Sequence, residues 1–302
     1  MRHTKIAIIG AGAVGSTTAF ALILKNIAAE IILVDINKER CKGEMLDLSD
    51  ALAFSGTSKI RSSSIEDVKD ADIIIITAGI AQKPGETRVD LIKTNKKIVT
   101  SIIRDLKPIA QHSIIIVVTN PVDAMTFFAL KESGLEPSRV FGTGTILDTQ
   151  RIRGLLSRKL NIAEQSIHAY ILGEHGDSQF PAWSSARIAG VPIENFPGIT
   201  KKDLDAFAIE ARQKAYEIIK CKGSTFFGIA ACTTAICENI VLDQKRIAPL
   251  SVFIEKFGLC LGMPATMGCE GIEQIIETPL NKKEEEQLKL SAEKIRETIN
   301  TA

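Results

Sequence analysis

Two short segments of the sequence carry side chains suited to moving a proton beside a bound acid. The loop Gly173–Ser178 holds His175, one of only four histidines in the chain. Asp148 and Arg151 stand three residues apart, so on a helix they project from one face. A histidine can hold a proton near neutral pH, a carboxylate can orient its ring, and an arginine can grip a carboxylate with its planar fork. A locally hydrogen-bonded loop histidine and a surface salt bridge remain open as alternatives.

A glycine-rich turn near the amino terminus is typical of dinucleotide binding. It runs from Gly10 to Gly15, after an apolar strand and before a helix. In this pattern the glycines allow a tight turn and close approach to a pyrophosphate, and the helix amino terminus donates N–H groups to the phosphates. Asp35 lies 20 residues beyond Gly15, where its carboxylate can bind ribose hydroxyls and would repel a 2′-phosphate. We therefore expect NAD as the cofactor; the alternative is a tight turn without a ligand.

The elements that must position these residues follow an α/β pattern. Unbroken β-branched runs recur at Ile6–Ile9, Ile31–Val34, Ile73–Thr77 and Ile114–Thr119. Such runs are typical of strands that are buried on both faces of a parallel sheet. The stretches between them, such as Lys38–Ala53 and Glu86–Leu106, are long enough for crossover helices. The pattern predicts a Rossmann-type, doubly wound parallel sheet followed by an α+β domain.

The regular alternation ends after a short predicted strand at Arg139–Phe141, so we place a domain boundary there. Residues 1–142 are predicted to form the NAD-binding Rossmann domain, and residues 143–302 the catalytic α+β domain. In the second half we expect a helix from about Thr145, a strand, two long helices, a hairpin and an amphipathic terminal helix. Their predicted ranges are Ile167–Leu172, Lys201–Lys220, Phe226–Leu242, Ala248–Phe257 with Leu261–Met267, and Lys282–Asn300.

Composition and charge exclude several classes of protein. The 302 residues are 45% hydrophobic and 24% charged, with a net charge of +1 and no dense basic run, which argues against a nucleic-acid-binding surface. Six cysteines without a CxxC pair indicate reduced core residues of a cytoplasmic protein and no metal site. The uncharged run Ile6–Leu24 is long enough for a membrane span, but a strand, glycine turn and helix explain it better.

Six motifs, taken in this order, resemble the lactate/malate dehydrogenase family over essentially the whole chain. They are Gly10–Gly15, Thr77–Gly79, Gln82–Arg88, Thr119–Asp123, Leu147–Arg153 and Gly173–Asp177. Within the family the chain is most similar to the bacterial L-lactate branch. The resemblance implies reversible hydride transfer between NADH and pyruvate, with L-lactate and NAD as products.

The resemblance also implies a role for each matched residue. His175 would be the general acid and base, and Asp148 its orienting partner. Arg151 would anchor the substrate carboxylate, and Arg88, in a lid, would polarise the reacting carbonyl. Further substrate contacts are implied for Gln82, Asn120 and Thr225; the last two could instead cap the helices that follow them. Cofactor contacts are implied for Gly10, Gly12, Ala13, Val14, Gly15, Asp35, Thr77, Ala78, Gly79, Asn95, Thr119 and Asn120.

The choice of substrate is expected to depend on Gln82, where the resemblance places Arg in malate-specific members. Oxaloacetate carries a second carboxylate, which is costly to bury without a cationic partner. Gln82 cannot neutralise that charge, so pyruvate is the preferred substrate. The segment Val117–Thr126 reads much like the malate branch, and a malate or broader 2-keto-acid dehydrogenase stays open as the alternative. A non-catalytic NAD-binding protein is a further alternative, but such a protein has no evident need for the complete set of Arg88, Asp148, Arg151 and His175.

A regulatory site is suggested by Arg153, which lies about 200° around a helix from Arg151 and must face away from it. In family members activated by fructose bisphosphate, an arginine and a histidine at the positions of Arg153 and His168 bind a phosphate between subunits. The resemblance thus implies a homotetramer with this effector. An interface salt bridge and a core histidine are the alternative.

Overall fold

The computed structural model describes residues 4–55, 59–80 and 88–302, and of Arg88 only the backbone. Within these ranges the amino-terminal half has six parallel strands: β1 (Lys5–Ile9), β2 (Glu30–Val34), β3 (Lys59–Ser62), β4 (Ile73–Ile76), β5 (Ile114–Val117) and β6 (Val140–Gly142). Its helices are α1 (Ala13–Lys25), α2 (Lys38–Asp50), α3 (Arg88–Asp105) and α4 (Val122–Ser133).

The parallel strands lie in the order β3-β2-β1-β4-β5-β6. This is the order of a doubly wound dinucleotide-binding sheet, so the predicted fold class is confirmed. The four residues of β4 are all isoleucine and all buried, because helices cover both faces of the sheet. Alternate residues of β1 enter different cores: Ile6 and Ile8 face one side of the sheet, whereas Ala7 and Ile9 face the other.

The carboxyl-terminal half is built from short strands, four helices and a long hairpin. Its helices are α5 (Ile146–Leu160), α6 (Lys201–Lys222), α7 (Phe227–Val241) and α8 (Lys282–Thr301). Its strands are β7 (Ile167–His168), β8 (Ile171–Leu172), β9 (Phe180–Pro181), β10 (Arg187–Ile188), β11 (Val191–Pro192), β12 (Ile247–Ile254), β13 (Leu259–Gly268) and β14 (Gly271–Ile275). The four helices and the β12–β13 hairpin agree with the sequence prediction.

The sequence prediction of a single strand over Ile167–Leu172 is wrong. The structure divides this segment into β7, which pairs with β10, and β8, which pairs with β9. Between them the carbonyl of Tyr170 accepts a hydrogen bond from the N–H of Ala182. The chain therefore changes its partner in the middle of one extended run, and periodicity alone gives no sign of such a change.

The hairpin also extends the parallel sheet. Ser251 of β12 pairs antiparallel with Gly142 of β6, so in the described part of the chain β12, β13 and β14 join the six parallel strands in one sheet. Gly142, where the sequence pattern changes, thus lies in an internal strand of a continuous sheet. Because Gly142 is the last residue of β6, the hairpin pairs at the carboxyl end of that strand, and ligands bind at the carboxyl ends of the strands in such folds.

The cysteines differ from the sequence expectation in part. All six are free; Cys41, Cys232, Cys237 and Cys260 are buried, but Cys221 and Cys269 are exposed. Cys221 lies in the last turn of α6 and Cys269 in the turn between β13 and β14, so neither side chain reaches a core. Among the described residues no helix combines the length and the apolar character that crossing a membrane requires.

Candidate active site

The turn after β1 has the shape that a bound pyrophosphate requires. Gly10 has φ +110°, and a Cβ there would lie 2.6 Å from the backbone nitrogen of Ala78. A Cβ on Gly15 would lie 1.9 Å from the carbonyl oxygen of Gly10, so the turn and α1 pack too closely for a side chain. Beside Gly12, in contrast, a Cβ would meet only open space. The first and third glycines serve packing, and the second leaves room for a ligand.

The amino terminus of α1 opens into this space beside Gly12. The helix begins at Ala13, and no side chain caps it. The N–H groups of the first turn and the positive end of the helix dipole therefore suit a negatively charged group. These features fit a dinucleotide pyrophosphate; its individual contacts with Gly12, Ala13 and Val14 stay predictions.

Asp35 follows β2 and faces the same turn. Its Oδ2 accepts a hydrogen bond from the N–H of Ala11 at 2.7 Å, and its Oδ1 accepts one from the N–H of Asn37 at 2.8 Å. Each carboxylate oxygen keeps a further lone pair for a ribose hydroxyl. A 2′-phosphate at this position would meet the negative charge of the carboxylate, which favours NAD.

The predicted cofactor residues on neighbouring strands hold the backbone around the turn. The hydroxyl of Thr77 donates to the carbonyl of Gly10 at 2.7 Å, and that of Thr119 donates to the carbonyl of Ala78 at 2.7 Å. A Cβ on Gly79 would lie 2.6 Å from Cγ2 of Thr119. These residues line up the carboxyl ends of β1, β4 and β5.

Asn95 of α3 is a buried clamp beneath these strand ends. Its Oδ1 accepts from the N–H of Ile80 at 2.9 Å, and its Nδ2 donates to the carbonyls of Ile80 and Asn120 at 3.2 Å and 2.8 Å. The amide thereby fixes the backbone at the start of the predicted lid against the end of β5. A direct contact of Asn95 with the cofactor stays a prediction.

The proposed proton-transfer residues meet in the structure. Nδ1 of His175 lies 2.6 Å from Oδ2 of Asp148, and the guanidinium of Arg151 donates to Oδ1 of the same carboxylate at 3.0 Å. Asp148 lies in the first turn of α5 and is only 2% exposed. With Nδ1–H donated to Asp148, the ring presents Nε2 for exchange of a proton. The surface salt bridge considered for Asp148 and Arg151 is therefore wrong.

The two acidic and basic partners change each other's pKa. Burial of the His175 ring favours its neutral form, but the charge and hydrogen bond of Asp148 outweigh that effect, and the pKa of His175 is raised. Burial likewise opposes ionisation of Asp148, yet the imidazolium and the hydrogen bond from His175 outweigh it and lower the pKa of Asp148. The pair is thus built to hold a proton on His175.

The loop that carries His175 is fixed from the carboxyl-terminal helix. The N–H of Glu174 donates to Oγ of Ser291 at 2.7 Å, and Oγ of Ser178 donates to Oε2 of Glu174 at 2.6 Å. Ser291 itself donates to the carbonyl of Ser178 at 3.1 Å. Helix α8 therefore closes the loop on itself and limits the movement of His175.

A cleft opens in front of His175. Its described lining comprises Leu91, Ile92, Asn120, Pro121, Asp148, Arg151, His175, Gly176, Asp177, Gln179, Arg212, Ala215 and Tyr216. The cleft thus brings together Asn120 from the Rossmann half and the triplet Asp148, Arg151 and His175 from the second half. It offers the guanidinium of Arg151 to a carboxylate and the imidazole of His175 as a proton carrier.

Comparison with known proteins identifies the family. Residues 4–142 match the lactate/malate dehydrogenase NAD binding domain, and residues 145–302 match the lactate/malate dehydrogenase alpha/beta C-terminal domain. The chain belongs to the lactate/malate dehydrogenase family. The resemblance found in the sequence is confirmed, and NAD is the cofactor, as predicted.

Named members of the lactate/malate dehydrogenase family align over nearly the whole chain. L-lactate dehydrogenase A of Rhizopus oryzae is 47% identical over 97% of this chain and 92% of its own length. L-lactate dehydrogenase of Lacticaseibacillus casei is 44% identical over 99% of this chain and 94% of its own. Among solved structures, a lactate dehydrogenase from a Medee basin deep-sea metagenome library superposes with a TM-score of 0.96 at 37% identity, covering 100% of this chain and 99% of that one.

The structure places two further predicted substrate residues, Asn120 and Thr225, and their alternatives as helix caps are wrong. Helix α4 has Pro121 as its N-cap and no side-chain cap, so Asn120 does not cap it. Helix α7 has Phe226 as its N-cap, again without a side-chain cap, so Thr225 does not cap it either. Asn120 lines the cleft, whereas Thr225, just before α7, is not part of its described lining.

Two predicted residues cannot be placed. Gln82 lies outside the described residues, and of Arg88, the first residue of α3, only the backbone is described. Their predicted roles at the far end of the substrate and at the reacting carbonyl stay predictions.

The predicted effector residues lie behind the site. Arg153 donates through Nε to the carbonyl of Ala169 at 3.0 Å, and its guanidinium lies 4.9 Å from the ring centroid of Tyr170. His168 is exposed on β7, in register with Arg187 of β10, so the alternative of a core histidine is wrong. As expected from the helical angle, Arg153 points away from the cleft that Arg151 lines.

Sequence reasoning missed cleft residues on α6. The guanidinium of Arg212 donates to the carbonyl of Asp177 at 3.2 Å, and the hydroxyl of Tyr216 donates to Oδ1 of Asp177 at 3.2 Å. Because the two residues are four apart, they lie on one face of the helix. That spacing was a usable signal, but the direction in which the face points depends on how α6 packs.

Proposed function

We propose that this member of the lactate/malate dehydrogenase family is an NAD-dependent L-lactate dehydrogenase that interconverts pyruvate and L-lactate. The observation that carries the proposal is that the Asp148 carboxylate hydrogen-bonds to His175 through one oxygen and to Arg151 through the other. Enzymatic reduction of a 2-keto acid requires a group that binds the substrate carboxylate and a proton donor beside the keto oxygen. The names of the aligned relatives support the same reaction.

The chain's own residues perform binding and proton transfer. Arg151 binds the substrate carboxylate through its planar fork, which also orients the keto group towards His175. His175 donates the proton on Nε2 to the carbonyl oxygen during reduction and takes a proton from the lactate hydroxyl in the reverse direction. Asp148 keeps the ring in one tautomer and stabilises the imidazolium. Bound NADH supplies the hydride.

Arg88 and Gln82 complete the proposed site. Arg88 stabilises the charge that develops on the carbonyl oxygen. This electrostatic stabilisation is stronger when water is excluded from the site. Gln82 is the proposed contact of the methyl end of pyruvate, and its uncharged amide gives the second carboxylate of oxaloacetate no cationic partner. Asn120 and Thr225 act as further substrate contacts.

Initial-rate assays of NADH oxidation with pyruvate and, separately, with oxaloacetate test the proposal. We expect a kcat/KM for pyruvate that is at least a hundredfold higher, because an unpaired buried carboxylate is strongly disfavoured. The His175→Gln variant is the matched control, since it should keep NADH binding and lose turnover. A preference for oxaloacetate would assign the chain to the malate side, and no turnover with either acid would make it a binding protein.

The assembly, effector and location are proposed on the same basis. We propose a cytoplasmic homotetramer, with residues 1–142 and 143–302 as its two domains, that is activated by fructose bisphosphate at Arg153 and His168. Burial lowers the pKa of the Arg153 guanidinium because it disfavours the charged form. A phosphate beside the guanidinium would offset this cost of burying a positive charge. The exposed imidazole of His168 is the second proposed contact of this phosphate.

A further inference from the structure

A second buried carboxylate touches the catalytic loop. Asp123 is the second residue of α4 and is 2% exposed. Its Oδ2 accepts a hydrogen bond from the backbone N–H of His175 at 2.8 Å, and its Oδ1 accepts one from the hydroxyl of Ser251 at 2.6 Å. One side chain thus joins α4, the hairpin strand β12 and the loop that carries the proton donor.

The place of Asp123 in the chain relates His175 to the rest of the cleft. Asn120 and Pro121 line the cleft, and α4 begins at Val122. Asp123 therefore holds His175 from the first turn of the helix that directly follows the cleft-lining segment. Because α4 begins directly after Pro121, the hydrogen bond from the His175 N–H to Asp123 fixes the position of His175 relative to Asn120.

A neutral side chain could make the same two hydrogen bonds at lower cost. Burial raises the pKa of Asp123 to about 6, although the hydrogen bonds from Ser251 and His175 favour the ionised form. An asparagine could accept from His175 through Oδ1 and donate to Ser251, whose hydroxyl can also accept. A purely structural role therefore does not explain an ionisable group here.

The charged surroundings of Asp123 identify the group on which its charge acts. His175 favours the ionised carboxylate, whereas Glu174 opposes it. The charge of Asp123 also acts on the Cys260 thiol of β13, as does Lys131 of α4, but burial raises the pKa of this thiol far above the neutral range. The thiol therefore stays neutral, and the charge of Asp123 acts on the His175 ring, whose pKa it raises in addition to Asp148.

We propose that Asp123 is a positioning residue for His175. It fixes the backbone of the catalytic loop through one oxygen and supplies a second negative charge that keeps the imidazole protonated. It acts through His175 and does not contact the substrate. The proton-transfer role of His175 belongs to the function proposed above, but the charge state of the ring can be measured without turnover.

The test is a titration of histidine in the Asp123→Asn variant. With ¹³C-labelled histidine, NMR follows all four imidazoles, and the loss of one signal in His175→Gln assigns His175. We expect the pKa of His175 to fall, because the ring loses a nearby opposite charge. An unaltered His175 titration would overturn the proposal whatever the activity of the variant.

Kinetics provide a second readout. Because a smaller fraction of His175 is protonated in Asp123→Asn, the loss of kcat/KM for pyruvate should be larger at pH 8 than at pH 6. The Ser113→Ala variant is a matched control, since it removes a fully buried hydroxyl that donates to Ala71 away from the cleft. We expect no change in its pH profile. A loss by the same factor at every pH would reduce Asp123 to a structural residue.

Ser251→Ala serves if Asp123→Asn does not fold. Removing the hydroxyl leaves Asp123 and its bond to His175 in place but takes away a donor that favours the carboxylate. We expect a shift of the His175 titration in the same direction, by less than in Asp123→Asn. No shift in Ser251→Ala would also overturn the proposal.

Discussion

Nδ1 of His175 lies 2.6 Å from Oδ2 of Asp148, although the two residues stand far apart in sequence. This contact leaves Nε2 as the only ring nitrogen that can serve the substrate. It also couples the protonation of the imidazole to a carboxylate that is almost completely buried. This contact raises the pKa of His175 and lowers that of Asp148, and the charges of Asp123 and Arg151 act in the same directions.

The Asp148→Asn variant should lose most of its activity. An asparagine can present its amide N–H to Nδ1 and stabilise the wrong tautomer, so we expect kcat to fall about a thousandfold or more. Stopped-flow measurement of NADH binding should show an unchanged Kd, because Asp148 lies outside the glycine-rich turn. Activity within tenfold of the original protein would contradict the orienting role.

The Arg151→Lys variant should bind pyruvate weakly while keeping its charge. Lysine offers a point charge where the guanidinium offers a planar fork, so we expect KM for pyruvate to rise about 30-fold to 100-fold, as for the loss of a charge-assisted hydrogen bond. Steady-state kinetics at saturating NADH measure the change. If KM is unaffected and only kcat falls, Arg151 does not anchor the carboxylate.

The Gln82→Arg variant should shift the substrate preference towards oxaloacetate. A guanidinium at the far end of the substrate would pair with the second carboxylate, and we expect the ratio of kcat/KM for oxaloacetate over pyruvate to rise about a hundredfold or more. Gln82→Met is the control, because it keeps the size of the side chain without a charge. The assignment of Gln82 fails if the ratio is the same in all three proteins.

Fructose bisphosphate should lower the half-saturating concentration of pyruvate in the original protein but not in Arg153→Ala. Arg153 would bind a phosphate between subunits, so its removal breaks the coupling. Arg158→Ala is the matched control, since Arg158 lies on the same helix and forms an exposed ion pair with Glu210. If the effector leaves the kinetics of the original protein unchanged, there is no such site.

Asp123 should make stability fall as the pH rises. Its pKa is about 6 in the folded protein, above the ordinary value of 3.8, so its contribution is fully present below pH 3.8 and is lost as the pH rises through 6. The two-unit shift corresponds to about 3 kcal/mol at pH 8. The free energy of unfolding of Asp123→Asn, minus that of the original protein, should therefore be larger at pH 8 than at pH 5.

Urea unfolding of both proteins at the two pH values measures this difference. Asp70→Asn is the control with the opposite sign, because the hydrogen bond from Lys5 lowers the pKa of Asp70. Its contribution is present above the ordinary value and is lost only in acid. A stability difference for Asp123→Asn that is the same at pH 5 and pH 8 would contradict the raised pKa.

Local sequence patterns were sufficient for most of the fold. The unbroken apolar runs predicted β1, β2, β4 and β5, and the spacing of Gly10, Gly12, Gly15 and Asp35 predicted the cofactor turn. Strand β3 was missed because Lys59–Ser62 is a polar edge strand without an apolar run. The helical pattern expected after the run Ile114–Thr119 is α4, which begins at Val122.

The sequence by itself determined the doubly wound sheet, the NAD turn and the types of side chain at the active site, because backbone conformation and burial leave periodic signals along the chain. Only the tertiary structure decided which groups meet: Asp148 with His175, Asp123 with the His175 backbone, and β12 with β6. These contacts join residues that are distant in sequence, and they depend on how whole elements pack. No local pattern records that packing, although it sets the pKa values on which the proton transfer depends.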